Sequence, residues 1–128
     1  YVGINNHMGS RFTANSDLMR IVLNELHRRG LLFLDSVTAR SSTAYRIARE
    51  IGMPAAKRQV FLDNTKSEIP ARLDELERYA SKHGAAIGIG HPRQSTIEAL
   101  QSWIPDAAER GFVFVPVSTI VAQQMDED

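Results

Sequence analysis

Apolar residues along the chain follow two spacings that alternate. Short runs, Tyr1-Val2-Gly3-Ile4, Leu31-Leu32-Phe33-Leu34, Val60-Phe61-Leu62, Ala85-Ala86-Ile87 and Phe112-Val113-Phe114-Val115, are almost wholly apolar. Runs of this length bounded by polar or turn residues predict buried strands over 1–6, 31–34, 59–62, 85–87 and 112–115. Between them the apolar positions recur at helical spacing. Leu18, Val22 and Leu26, flanked by Met19 and Leu23, trace one helix face. Ala44, Ile47, Ala48 and Ile51 trace a second, Ile69, Leu73, Leu76 and Ala80 a third, and Ile97, Leu100 and Ile104 a fourth. A last helix begins over Val117–Ala122.

Start and stop signals agree with this division. Asn15, Ser16 and Asp17 supply N-cap chemistry for the first helix, and Gly30 follows its end. Ser41, Ser42 and Thr43 are candidate caps of the second helix, which Gly52 and Pro54 terminate. Ser67 is the candidate cap of the third, Pro70 is tolerated in its first turn, and Gly84 closes it. Ser95 or Thr96 is expected to cap the fourth helix, Pro105 to break it, and Gly111 to end the piece that follows. Residues 123–128 read as an acidic tail.

Five apolar strands alternating with helices predict an α/β fold of βα units with parallel strands buried on both faces. Right-handed crossovers place all strand C-termini on one side of the sheet, where ligands bind in open sheets and closed barrels alike. A regular interval strengthens the expectation. Steps of 28 residues backward from His91 reach Asp63, Asp35 and His7, each closing an apolar run. Asn6, His7, Asp35, Asp63, His91 and Ser118 are therefore expected to converge.

Composition narrows the possible functions. The 128 residues suit a single domain, 1–128, with an ordinary 43% hydrophobic and 23% charged content. Fifteen basic residues balance fifteen acidic ones, with no basic stripe of the kind that marks a nucleic-acid binder. No run approaches the length of a membrane span. Cysteine is absent, which excludes disulfide and thiolate chemistry. The chain opens directly on a strand, so it reads as the later part of a larger protein.

Two imidazoles and two carboxylates with amide and hydroxyl neighbours match a hydrolytic metal site. A divalent ion such as zinc takes His nitrogen and Asp oxygen and leaves a position for water. A second carboxylate serves as general base and a histidine as general acid. Arg11, Arg40 and Arg93 also follow strand exits, where they hold an anionic group of a substrate or decorate the rim. Each residue has a plainer reading. Asp35 and Asp63 could cap the turns after their strands, His7 could be loop structure, and Ser118 suits a helix cap. His27 and His83 read as surface groups and Trp103 as helix packing. His91 stands out because Gly88 and Gly90 leave room for close approach. The glycines at 84, 88 and 90 do not form a dinucleotide fingerprint.

The segments Asn5-Asn6-His7-Met8-Gly9-Ser10, Phe33-Leu34-Asp35-Ser36, Arg58-Gln59-Val60-Phe61-Leu62-Asp63-Asn64, Gly88-Ile89-Gly90-His91-Pro92 and Val115-Pro116-Val117-Ser118 together resemble the divergent polysaccharide deacetylase family. The resemblance spans essentially the whole chain. It implies a distorted seven-stranded (β/α) barrel, of which this chain is a truncated portion, the last five units. It also implies metal-assisted removal of acetyl groups from a polysaccharide in the bacterial periplasm or outside the cell. His7 would be a metal ligand and Asp35 or Asp63 a ligand or base. His91 would be the acid, and Asn6, Arg11, Arg40, Arg93 and Ser118 would contact the substrate. The chain departs from the usual pattern at Arg11, which stands four residues after His7 where metal-dependent deacetylases carry a second histidine. Two other readings follow: a catalytically inactive barrel that binds an envelope glycan, and a doubly wound sheet binding a phosphorylated ligand at helix N-termini.

Overall fold

Strands and helices alternate along most of the chain, and among the described residues every strand pairing is parallel. A computed structural model describes residues 3–5, 14–37 and 42–126. The chain divides into two compact units, one of residues 1–57 with 116–128 and one of residues 58–115.

The first unit carries a three-stranded sheet in the order β1 (Gly3–Asn5), β2 (Leu32–Asp35), β3 (Ala55–Lys57). Ile4 lies opposite Phe33, and Leu34 opposite Ala56. Helix α1 (Ser16–Arg28) starts where Asn15 Oδ1 accepts the Leu18 N–H at 3.1 Å, the expected cap. Asp17 in its first turn and His27 and Arg28 in its last suit the helix dipole. Its buried Met19 and Leu23 meet Ala44, Ile47 and Ala48 of α2 (Ala44–Glu50), with Phe33, Met53 and Ala55 completing the core. Arg20 and Arg46 both bond Glu50, at 2.6 and 2.8 Å, which ties α1 to α2 at the surface. Helix α5 (Val117–Asp126) lies against β3. Residues 123–126, expected as tail, therefore continue this helix.

The strand β3 is absent from the sequence expectation. Ala55, Ala56 and Lys57 follow a proline and have weak strand propensity. Tertiary context makes the strand: Phe33 N–H donates to the Pro54 carbonyl at 3.0 Å, and Ala55 and Ala56 are fully buried.

The second unit holds β4 (Val60–Phe61) and β5 (Gly88–Ile89), joined by a 3₁₀ turn (Lys66–Glu68) and α3 (Ile69–His83), and followed by α4 (Gln94–Glu109). Val60 lies opposite Gly88 and Phe61 opposite Ile89. The strand expected at 85–87 thus falls slightly later. Gln59 extends the pairing, its amide donating to the Ile87 carbonyl at 2.9 Å and its side chain accepting the Ile87 N–H at 2.6 Å. Val60, Leu62, Ile69 and Leu73 form the core under Leu76, Ala99, Leu100 and Trp103. Gly88 leaves little room there: a Cβ would stand 3.1 Å from a Leu76 methyl and 3.2 Å from a Leu62 methyl, so those side chains would have to give way.

Three details of this unit correct the sequence reading. Helix α4 runs through Pro105 without breaking. Pro105 and Gln101 are both exposed, so the carbonyl that loses its donor is open to water. The buried stripe of α4 is not Ile97, Leu100 and Ile104. Ile97 and Ile104 are exposed, while Thr96, Ala99, Leu100, Trp103 and Ala107 face inward. Finally, residues 112–115 form no strand. Phe112 N–H bonds back to the Ala107 carbonyl at 3.1 Å, Phe114 meets Trp103 edge-on at 5.4 Å, and Val113 is 82% exposed. β-branched and aromatic composition makes a strand only where a neighbouring strand is there to pair with.

The reassigned face of α4 is testable by equilibrium urea unfolding. Truncating inward-facing Leu100 of α4 to Ala is expected to cost about 2 kcal/mol or more, and exposed Ile104→Ala less than about 1 kcal/mol. Comparable losses would contradict the assignment.

Candidate functional site

Asp63 and His91 lie two residues beyond the ends of β4 and β5. Those strands pair in the register that the 28-residue interval requires, so the two side chains meet. His91 Nδ1 stands 2.8 Å from Asp63 Oδ1. The His91 amide donates to Asp63 Oδ2 at 2.6 Å, and the Thr96 hydroxyl donates to the same oxygen at 2.6 Å. Arg93 adds a bond from its guanidinium to the Asp63 backbone carbonyl at 2.8 Å. Asp63 is 1% exposed, whereas the His91 side chain keeps 34% of its surface accessible.

Burial pushes the Asp63 carboxyl upward. Hydrogen bonds from the Thr96 hydroxyl, the His91 ring and the His91 amide, together with the charge of His91, outweigh burial and hold it below its ordinary value. An ionised carboxylate can only accept, so the bonded Nδ1 carries the proton. A buried carboxylate orienting a half-exposed imidazole is the arrangement of a general acid or base.

Asp35 ends β2 in the first unit and is 2% exposed. Its Oδ1 accepts from the Val37 amide at 2.9 Å, and its Oδ2 accepts from the Ser42 hydroxyl at 2.8 Å and the Tyr45 amide at 3.3 Å. Asp35 thus caps α2 from a distance, the task expected of Ser41, Ser42 or Thr43; Thr43 occupies the cap position but its side chain makes no capping bond. Beside it, Asn5 Nδ2 donates to Ser36 Oγ at 3.2 Å. Val37 has φ of 52°, a β-branched residue in the left-handed region, at a cost of about 1–3 kcal/mol.

Ser118 is exposed in the first turn of α5, in the unit that holds Asp35. Asn6, His7, Arg11 and Arg40 lie outside the described residues. Among the described residues no three His, Asp or Glu side chains come together to hold a metal ion. His27 and His83 are exposed, as expected, with His83 stacked 4.3 Å from Tyr79. Trp103 packs on the core, its Nε1–H donating to Glu77 at 3.1 Å.

Thr96 is the site residue that the sequence reading missed. Taken as a helix cap, it instead occupies the third position of α4, whose first residue is Gln94. The spacing of Leu100, Trp103 and Ala107 along that helix places Thr96 on their face, a signal present in the chain. No described helix is long and apolar enough to cross a membrane.

Comparison with known proteins places these features in a group. The family described as divergent polysaccharide deacetylase matches residues 1–121. An uncharacterized protein of Haemophilus influenzae is 41% identical over 110 residues, covering 84% of this chain and 39% of its own length. The uncharacterized protein YibQ of Escherichia coli is 42% identical over 105 residues, covering 80% of this chain and 33% of its own. The chain therefore spans well under half the length of these relatives. The crystal structure of an uncharacterized protein from Agrobacterium tumefaciens superimposes with a TM-score of 0.90 at 36% identity, over 94% of this chain and 50% of that one.

The depressed Asp63 pKa has a consequence for acid stability. Its folded value lies below its unfolded value, so ionised Asp63 stabilises the fold above the ordinary carboxylate range. That contribution is lost as pH falls through the folded value. As pH falls through and below the ordinary carboxylate range, the wild type is expected to lose unfolding free energy more steeply than Asp63→Asn, as measured by urea titration. Equal slopes would show that folding does not lower the Asp63 pKa.

Proposed function

The chain belongs to the divergent polysaccharide deacetylase family, and from that premise we propose that it supplies the proton-transfer centre of a hydrolase that removes acetyl groups from a glycan. The observation that carries this reading is the ring of His91, held at Nδ1 by a buried carboxylate and open over a third of its surface. In the reaction, water adds to the acetyl carbon while the neutral His91 ring takes a proton from it at Nε2. The ring, now doubly protonated, gives that proton to the departing nitrogen as the carbon–nitrogen bond breaks, leaving an amine and acetic acid, which ionises to acetate in water. Asp63 keeps the ring in place and balances its charge while it is protonated. Arg93, bonded to the Asp63 carbonyl, would present the rest of its guanidinium to the sugar.

A barrel completed by further βα units belongs to the same proposal, supported by the greater length of the relatives. So does export to the periplasm, where an envelope glycan would be met. Zinc enters through His7 and Asp35. The described residues do not supply a full ligand set, although Asp35 Oδ1 accepts a single hydrogen bond and so retains a lone pair for an ion. When bound, the ion would polarise the acyl oxygen and acidify water; the proton transfer above does not run through it.

Two measurements test the proposal on the intact protein. Acetate release from acetylated oligosaccharides is expected, with His91→Gln lowering kcat by about 10²–10⁴-fold. Saturable glycan binding without any acetate, unchanged in His91→Gln, would replace the enzyme reading with that of an inactive glycan binder. Elemental analysis should find zinc in the wild type and little in His7→Ala or Asp35→Ala. Full occupancy in both variants would remove these residues as ligands.

A further inference from the structure

We infer that Thr96 is the positioning residue of the Asp63–His91 pair, pinning one carboxylate oxygen so that the other holds the imidazole in a single tautomer. The inference rests on the reading that His91 transfers a proton. A carboxylate turns about a torsion with a broad, roughly two-fold preference. One hydrogen bond to His91 Nδ1 does not by itself stop that rotation. Here Oδ2 takes two donors at 2.6 Å, the His91 amide and the Thr96 hydroxyl, and this leaves Oδ1 directed at the ring. The amide belongs to the loop that also carries the ring. Thr96 is the donor fixed by a different element, being 2% exposed on the inward face of α4. Its β-branched side chain has few rotamers on a helix. Gly90 secures the contact, because a Cβ there would stand 3.1 Å from the Thr96 methyl and 3.5 Å from Asp63 Oδ2. Thr96 thus reads the position of α4 into the orientation of the imidazole.

The test uses ¹⁵N spectra of the neutral His91 ring in the intact, labelled protein together with acetate-release kinetics. Thr96→Val keeps the shape and removes the donor; Thr96→Ser keeps the donor. The wild type and Thr96→Ser should show Nδ1–H alone, and Thr96→Val a mixture of tautomers. Thr96→Val should lower kcat about tenfold to a hundredfold with little change in KM, and should add nothing in a His91→Gln background. A second variant approaches the contact from the other side. Gly90→Ala, which crowds the Thr96 methyl, should mix the tautomers, and Gly90→Ala with Thr96→Ser should restore Nδ1–H. A wild-type spectrum in both Thr96→Val and Gly90→Ala, or an equal loss of kcat when His91 is already replaced, overturns the inference. The spectra are read whether or not acetate is released, so failure of the hydrolase reading and failure of this inference remain distinguishable.

Discussion

A carboxylate removed from water must be given back hydrogen bonds, or it costs several kcal/mol. The second unit is arranged around that requirement at Asp63. Donors come from the exit of β5 and the first turn of α4, so both elements must sit within hydrogen-bond reach of the end of β4. Gly88 lets β5 lie against Leu62 and Leu76, and Gly90 lets α4 bring Thr96 in. The inward face of α4, led by Thr96 rather than by Ile97, follows from the same demand.

Asp35 faces the same problem and solves it with near neighbours. Its donors are Val37, Ser42 and Tyr45, all from the connection and helix that directly follow it. No imidazole is needed to satisfy it, and it organises the start of α2. Two aspartates of similar burial at the ends of parallel strands thus differ in purpose because of who supplies the donors. The left-handed backbone of Val37 is the local cost of the arrangement around Asp35.

Much of this was legible in the chain, and the failures have physical causes. The 28-residue interval located the Asp63–His91 contact because β4 and β5 pair with that offset. In the first unit β1 and β2 pair at an offset one residue longer, Ile4 opposite Phe33, and the unexpected β3 pairs on the other side of β2 with Lys57 opposite Asp35. That strand was hidden because burial of two alanines, not strand propensity, makes it. The run at 112–115 misled in the opposite way, since its propensity is high and its sheet partner is missing among the described residues. Thr96 escaped because a threonine near a helix start is usually a cap, and because Ile97 and Ile104 suggested a face rotated by one residue.

The donors of Asp63 all lie downstream of it, at residues 91, 93 and 96. A chain growing from its N-terminus therefore exposes β4 and α3 before their carboxylate can be satisfied. Until the first turn of α4 has formed, packing β4 against α3 through Val60, Leu62, Ile69 and Leu73 leaves the Asp63 carboxylate without the donors of residues 91 and 96. Complete burial of this core and assembly of the imidazole pair are therefore coupled.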